Sequence, residues 1–285
     1  DVIEFIDGLK AAGAPVRLQY IGKSHDGVPI PMVIASRPLV SSPAHARALG
    51  KPVVYVQANI HAGEVEGKEA ILHLLRRYCQ EKSGILDKIV IVATPIYNID
   101  GNEKFGPQNR NRPGQNGPES VGVRANGQGL DLNRDHIKAE TPEFRSILRW
   151  VYSEWDPWVM MDLHTTDGTR HGYGLTYAPP LNPDTVDTVE HYARDVMVAT
   201  IRKGLRSKYG METFDYGNAE KRDGVTAWYE VGPEARYSTN YAGLRNRIGI
   251  LSEALVYLPF RERVLVTERF TDAVLSWTAK YGKDI

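Results

Sequence analysis

The fold is decided by three consecutive stretches: PVVYVQANI (52–60), EGKEAILHLLRRYCQEK (66–82) and KIVIVATPI (88–96). The first and third are short apolar runs rich in β-branched residues, as is typical of strands buried on both faces. The middle stretch repeats apolar side chains at helical spacing. A strand, a helix and a second strand in this order predict two parallel strands with the helix packed on one face.

The same alternation continues on both sides of this unit. Toward the N-terminus, the sequence predicts a helix over 2–12 and an antiparallel strand pair, 17–24 and 29–36, joined by an Asp-Gly turn. Further helices are predicted over 141–154, 184–208 and 260–281, and further strands over 157–163, 211–215 and 247–255. Two polar, glycine-containing segments, 101–129 and 216–246, are predicted as long loops. The whole pattern predicts a single α/β domain over 1–285 with three layers, α/β/α, and a mixed, mainly parallel sheet.

Composition limits the class of protein. With 42% hydrophobic and 25% charged residues, the 285-residue chain can build a full core and is not expected to be disordered. Lys+Arg and Asp+Glu are both 35, so no basic excess favours nucleic acid as a partner. No apolar stretch approaches the length of about 18 residues that a membrane span needs. The chain begins at Asp1 rather than Met, and we expect it to be a trimmed piece of a longer precursor.

Three potential metal ligands follow the ends of predicted strands. His61 and Glu64 come directly after strand 52–60, and His164 comes directly after strand 157–163. Ligands of open α/β sheets bind beyond the carboxyl ends of the strands. Two imidazoles and one carboxylate, with a fourth position left to water, form the ligand set of a catalytic zinc. The His-x-x-Glu spacing alone is weak evidence, because such a short pattern also arises by chance.

Four motifs strengthen this interpretation: NIHAGEVEG (59–67), GLDLNRDH (129–136), DLHTT (162–166) and GILSEALVY (249–257). In this order they resemble the zinc carboxypeptidase family of the carboxypeptidase A type, from about residue 17 to about residue 275. The resemblance implies a carboxypeptidase-like sheet of about eight strands. It also implies one zinc ion per chain, and a peptide as the substrate.

The resemblance also implies a role for each matching residue. His61, Glu64 and His164 match the zinc ligands, and Asp131 matches the carboxylate that orients a ligand histidine. Asn133 and Arg134 match the pair that binds the terminal carboxylate of the substrate, for which the planar fork of arginine is suited. Glu253 matches the general base that acts on a zinc-activated water.

Two roles stay open between neighbouring residues. Arg124 has the spacing expected of the arginine that polarises the scissile carbonyl, but Arg110 and Arg112 compete for that role. Tyr229 is nearest to the expected position of a mobile catalytic tyrosine, with Tyr237 and Tyr241 as its competitors.

The function predicted from these motifs is hydrolysis of the C-terminal peptide bond by a zinc metallocarboxypeptidase. One alternative is a related zinc amidohydrolase that acts on N-acylated amino acids or on cell-wall peptides. A second alternative is a non-catalytic binding module on the same fold, although such modules usually lose a ligand or the base. We expect a periplasmic or secreted location, since the resembling family is commonly exported; the oligomeric state cannot be predicted.

Overall fold

The computed structural model describes residues 1–282. Its helices are α1 (Val2–Ala11), α2 (Pro43–Ala48), α3 (Glu66–Gln80), α4 (Ile99–Glu103), α5 (Gln108–Asn111), α6 (Pro142–Ile147), α7 (Asp187–His191), α8 (Ala199–Tyr209), α9 (Ser238–Leu244) and α10 (Phe260–Tyr281). Its strands are β1 (Val16–Lys23), β2 (Pro29–Ala35), β3 (Val53–Ala58), β4 (Val90–Thr94), β5 (Gly106–Pro107), β6 (Ser120–Val121), β7 (Val159–Thr165), β8 (Leu175–Ala178), β9 (Thr213–Asp215), β10 (Gly217–Arg222), β11 (Val225–Glu230) and β12 (Ile248–Ala254). Among the described helices, none is long and apolar enough to cross a bilayer.

Eight strands form one mixed sheet in the order β1-β2-β4-β3-β7-β12-β8-β9. The central neighbours β4, β3, β7 and β12 run parallel to one another, and β8 and β9 are also parallel. Antiparallel pairing joins β1 to β2, β2 to β4, and β12 to β8. With helices packed around this sheet, the predicted α/β architecture of about eight strands is confirmed.

The central strands of the sheet position the candidate site residues. Every residue of β3, β7 and β12 is buried, which explains why these strands carry almost no polar side chains before their last residues. In the parallel register, Glu253 of β12 lies directly beside His164 of β7. Residues at the same register on adjacent parallel strands point to the same face of a sheet. The imidazole and the carboxylate therefore project side by side from neighbouring strands.

The prediction of an unbroken loop over 216–246 is wrong. Strands β10 and β11 form a separate antiparallel hairpin there, and α9 follows before β12. The hairpin was missed because β10, with the sequence GNAEKR, is largely exposed and has no apolar alternation. Its turn, Asp223-Gly224, has positive φ at both residues and is a recognised hairpin signal. The short strand β8 was also missed, and the predicted loop 101–129 contains four short elements, α4, β5, α5 and β6.

The two long interrupted helices keep their predicted positions. The segment predicted as a helix over 141–154 begins with α6, capped by the Thr141 hydroxyl, and continues as π-helical turns over Leu148–Trp155. The segment predicted over 184–208 consists of α7, π-helical turns over Tyr192–Val198, and α8. Both helices end in a residue with positive φ, Asp156 and Gly210 respectively.

His136 gives the stability of this fold a pH dependence. Its imidazole is buried against the rings of Phe144, Tyr241 and Tyr97, and burial lowers its pKa to about 4, although Asp162 and Asp135 oppose the shift. The unfolded chain takes up this proton near pH 6.5, so between about pH 6.5 and pH 4 it binds more protons than the folded chain. Stability must therefore fall as the pH decreases through this range.

We expect this one group to remove about 2–3 kcal/mol of stability between about pH 7 and pH 4.5. Denaturant unfolding of the wild type and of His136→Phe at both pH values measures the effect. The variant should lose less stability on acidification than the wild type does. Equal losses in the two proteins would show that His136 is protonated in the folded state.

Candidate metal centre and active site

Three side chains converge at the carboxyl ends of β3 and β7. One potential ligand atom from each of His61, Glu64 and His164 lies within 4.8 Å of the other two, and all three residues are buried. His61 Nδ1 lies 3.1 Å from Glu64 Oε1, and His164 Nδ1 lies 3.0 Å from Glu64 Oε2. The two imidazoles thus present the same type of nitrogen to one carboxylate.

The local sequence explains how the first two of these residues meet. Asn59 follows β3 with φ +60°, a left-handed conformation that asparagine tolerates better than most residues. Its side-chain amide donates to the carbonyls of Ala62 and Glu64, and the turn closes with a hydrogen bond from Glu64 N to His61 O. A Cβ atom at Gly67 would lie 2.7 Å from Leu163 Cβ, so only glycine allows α3 to start this close to the sheet.

Carboxylates hold the outer nitrogens of both histidines. His61 Nε2 lies 3.0 Å from Asp131 Oδ1, and His164 Nε2 lies 3.0 Å from Asp162 Oδ2. Such partners fix the tautomer of a metal-bound histidine and leave its other nitrogen free for the metal. Asp131 therefore contacts a histidine as the sequence predicts, whereas Asp162 was not predicted.

The electrostatics of this cluster favour a cation. Burial alone would lower the pKa of His164, but Asp162 and Glu64 raise it well above its usual value. Burial would likewise raise the pKa of Glu64, but Arg112 and the two histidines hold it well below its usual range. A site that stabilises positive charge on His164 and negative charge on Glu64 also suits a bound divalent metal. Two nitrogens and one carboxylate match the preference of zinc.

Glu253 is a further acidic group of the site. It is buried beside His164 on β12 and lines the same cavity as the three potential ligands. Burial raises the pKa of Glu253 to about 8, with a further contribution from the nearby charge of Glu64, although His164 and Arg112 oppose the shift. Its Oε2 atom has no hydrogen-bond partner among the described residues. This carboxyl group therefore adds a buried acidic group to the cavity lining beside the three potential ligands.

The cavity above these residues has a volume of about 410 Å³. Its wall includes Arg112, Arg124, Asn133 and Arg134, whereas Arg110 is exposed on α5. Arg124 donates two hydrogen bonds to Asp131 Oδ2, at 3.0 and 2.9 Å, and its Nη1 lies 3.6 Å from Glu64 Oε1.

Arg112 is held differently from Arg124. It lies 3.3 Å from Glu64 Oε1 and donates to the main-chain carbonyls of Thr165 and Thr166 at 2.8 and 2.9 Å. All three contacts use the same atom, Nη2, and they hold the segment that carries Arg112 at the end of β7. In Arg124, by contrast, Nε and Nη2 donate to Asp131 and Nη1 faces Glu64, so each of its three nitrogens has an acidic neighbour.

The three tyrosines considered from the sequence lie in different places. Tyr237 lines the cavity and packs on Arg134, with the guanidinium carbon 4.7 Å from the ring centre. Tyr229 also lines the cavity, and Arg222 lies 3.6 Å from its ring centre. Tyr241 instead packs against Phe144 and Tyr152 in the interior.

Sequence reasoning missed several residues of this cavity. Tyr216, which precedes β10, lies in the wall, as do Leu181 and Asn218. No local motif marks these positions, because tertiary packing alone brings them to the site. Asp162 did leave a signal: it precedes His164 by two residues on a strand, the spacing that places both side chains on one face.

A family model described as zinc carboxypeptidase (peptidase M14) matches residues 2–251. The chain belongs to the zinc carboxypeptidase family. The family recognised from the sequence is therefore confirmed, and so is zinc as the metal, for which His61, Glu64 and His164 form the site. The match ends two residues before Glu253, so the position of that residue is known from the structure and not from the family match.

Relatives of this zinc carboxypeptidase domain include carboxypeptidase D from Mus musculus, 27% identical over 215 residues, which cover 66% of this chain and 15% of the mouse protein. Carboxypeptidase D from Rattus norvegicus is 24% identical over 273 residues, covering 80% of this chain and 19% of the rat protein. The chain thus spans less than a fifth of the length of these curated relatives.

Solved structures share the fold of this zinc carboxypeptidase. A metallo-carboxypeptidase from Burkholderia cenocepacia superposes with a TM-score of 0.70 at 14% identity, covering 98% of this chain and 68% of the other. A metallo-carboxypeptidase from Pseudomonas aeruginosa, in complex with (2-guanidinoethylmercapto)succinic acid, gives a TM-score of 0.65 at 18% identity and covers 99% and 68% of the two chains. At this identity the likeness concerns the fold alone.

Proposed function

We propose that the chain is a zinc-dependent metallocarboxypeptidase that hydrolyses the C-terminal peptide bond of peptides. The observation that carries this proposal is the position of Glu253, a buried carboxyl group beside the zinc ligand His164 at the bottom of an open cavity. A buried carboxyl group without a hydrogen-bond partner on one oxygen is costly unless it has a chemical role.

In the proposed chemistry, zinc, Glu253 and Arg124 have separate roles. Zinc, when bound, supplies a Lewis acid that polarises a carbonyl and lowers the pKa of water. Glu253 takes a proton from the attacking water and later delivers it to the leaving amine. Arg124 donates hydrogen bonds to the oxyanion that forms at the scissile carbonyl.

The selection of the last residue is assigned to Asn133 and Arg134, which lie together on the cavity wall. A guanidinium binds a carboxylate through two parallel hydrogen bonds, so it favours substrates with a free C-terminus. Tyr229 stays the predicted catalytic tyrosine. The contact of Tyr237 with Arg134 makes Tyr237 its competitor, and separate Tyr→Phe variants would distinguish the two.

Digestion of a peptide library, analysed by mass spectrometry with and without a chelator, tests the proposed function. We expect single residues to be released from free C-termini only, and release to stop when zinc is removed. Cleavage of N-acyl amino acids in place of peptides would support the amidohydrolase alternative. A zinc-loaded protein without hydrolytic activity would support the binding module.

Arg134→Met provides a more specific test of the carboxylate site. We expect kcat/KM for peptides with a free C-terminus to fall by about 30-fold, equivalent to about 2 kcal/mol for the loss of a partly exposed charge pair. Steady-state kinetics on matched free and C-terminally amidated peptides measure the effect. The slow hydrolysis of the amidated peptides should hardly change; an equal loss on both peptides would contradict the assigned role.

We also propose that the chain forms one catalytic domain. One sheet runs from β1 to β9, and one continuous cluster of buried hydrophobic residues lies along it, which supports this division.

A further inference from the structure

Asp162 is a fully buried carboxylate without a part in the proposed chemistry. Its Oδ2 atom lies 3.0 Å from His164 Nε2 and also accepts a hydrogen bond from the Ser238 hydroxyl. Burying a carboxylate is costly unless other groups stabilise it. These two contacts join a zinc ligand to the first residue of α9.

Ser238 also contacts Asn133, a residue of the cavity wall. Its backbone N–H donates to Asn133 Oδ1 at 3.1 Å, and Asn133 Nδ2 lies 3.5 Å from His164 Nε2. Asp162 and Ser238 therefore connect His164 to Asn133 through a chain of hydrogen bonds. All four residues are buried, so water competes little for these contacts.

This chain of hydrogen bonds continues into the proposed substrate site. Asn133 is one of the two residues assigned to the terminal carboxylate. Tyr237, directly before Ser238, packs on Arg134, the other residue assigned to it. A displacement of the start of α9 would thus move both members of the carboxylate-binding pair relative to the metal.

We propose that Asp162 and Ser238 are positioning residues that couple the geometry of the zinc centre to binding of the substrate's terminal carboxylate, an inference that rests on the proposed function. Asp162 accepts the Nε2–H of His164 and so fixes the tautomer that presents Nδ1 to the metal. The Ser238 hydroxyl links the same carboxylate to the start of α9, whose first backbone N–H holds Asn133.

The test measures two affinities in Asp162→Asn, Ser238→Ala and the double variant. One is the zinc dissociation constant, obtained by competition with a chromophoric chelator, and the other is the dissociation constant of an N-acetylated dipeptide with a free C-terminus. We expect Asp162→Asn to weaken zinc binding by about 10–100-fold. Ser238→Ala should weaken dipeptide binding to the zinc-loaded protein. In the double variant, the losses of dipeptide affinity should not add up, because the two side chains share one hydrogen bond.

The chain offers a matched control in a second buried serine–aspartate pair, Ser24 and Asp100, whose side chains bond to each other and accept from the backbone N–H groups of Val28 and Asp26. Asp100→Asn should lower thermal stability and yet leave zinc affinity within about twofold of the wild type. The proposal is overturned if Asp162→Asn binds zinc as tightly as the wild type does, or if Asp100→Asn weakens zinc binding as much as Asp162→Asn does. It is also overturned if the losses of dipeptide affinity caused by the substitutions at 162 and 238 add up in the double variant.

Two features of the design keep the outcomes separable. If Asp162→Asn does not fold, the milder Ser238→Ala still decides whether the hydrogen-bond chain matters for dipeptide affinity. If the wild type binds zinc but hydrolyses no peptide, the proposed function fails, while the zinc titrations still decide the role of Asp162.

Discussion

Replacing Glu253 by glutamine is expected to lower kcat for peptide hydrolysis by about 10²–10⁴-fold, the usual contribution of a general acid–base group. Glutamine has nearly the same shape but can neither accept the proton of the attacking water nor return it to the leaving amine. Since Glu253 is not one of the three predicted zinc ligands, zinc content and KM should change little. Steady-state kinetics combined with metal analysis of the purified variant measure both quantities.

A matched control for this substitution is Glu143→Gln. Glu143 is also fully buried and also has a pKa raised by burial, but its carboxylate contacts His25 N and the Asn126 amide instead of the cavity. This variant should keep full activity. If Glu253→Gln retained the wild-type kcat, or if it lost zinc together with activity, Glu253 would not be the proton-transfer group.

The second large effect is expected from His61→Ala. Loss of a residue that orients a zinc ligand weakens zinc binding by about 10–100-fold. Removing a zinc ligand itself should weaken zinc binding more than that. Hydrolysis should disappear with the metal. Equilibrium dialysis against graded free zinc, followed by activity assays at each concentration, measures the two losses together.

His191 provides the comparison for His61, because it is a surface histidine paired with a carboxylate, Asp195. His191→Ala should leave zinc content and activity unchanged. Retention of one tightly bound zinc ion in His61→Ala would remove His61 from the metal site, and with it the basis of the proposed chemistry.

The central strands and the metal ligands could be predicted from the sequence for one physical reason. Strands β3, β7 and β12 are buried on both faces and are therefore apolar throughout, so the polar residues at their ends are conspicuous. His61, His164 and Glu253 all stand at such ends. Because parallel strands of one sheet end at the same edge, three separate sequence positions indicate one place in space.

The remaining parts of the site depend on contacts that the sequence does not encode locally. Arg112 donates to the carbonyls of Thr165 and Thr166, and Arg124 donates to Asp131, contacts that form only in the folded chain. The same holds for Tyr237, which reaches the site because α9 starts beside Asn133. The hairpin of β10 and β11 escaped prediction because an exposed two-stranded ribbon needs no apolar face.

The central claim is that His61, Glu64 and His164 bind one zinc ion through the nitrogens and the carboxylate that face each other. A crystal structure of the zinc-loaded protein, with anomalous diffraction recorded on both sides of the zinc absorption edge, tests it most directly. We predict a single strong anomalous peak about 2.0–2.2 Å from Nδ1 of both histidines and from a carboxylate oxygen of Glu64. A peak bound elsewhere, or zinc-loaded crystals without a peak between these three side chains, would contradict it.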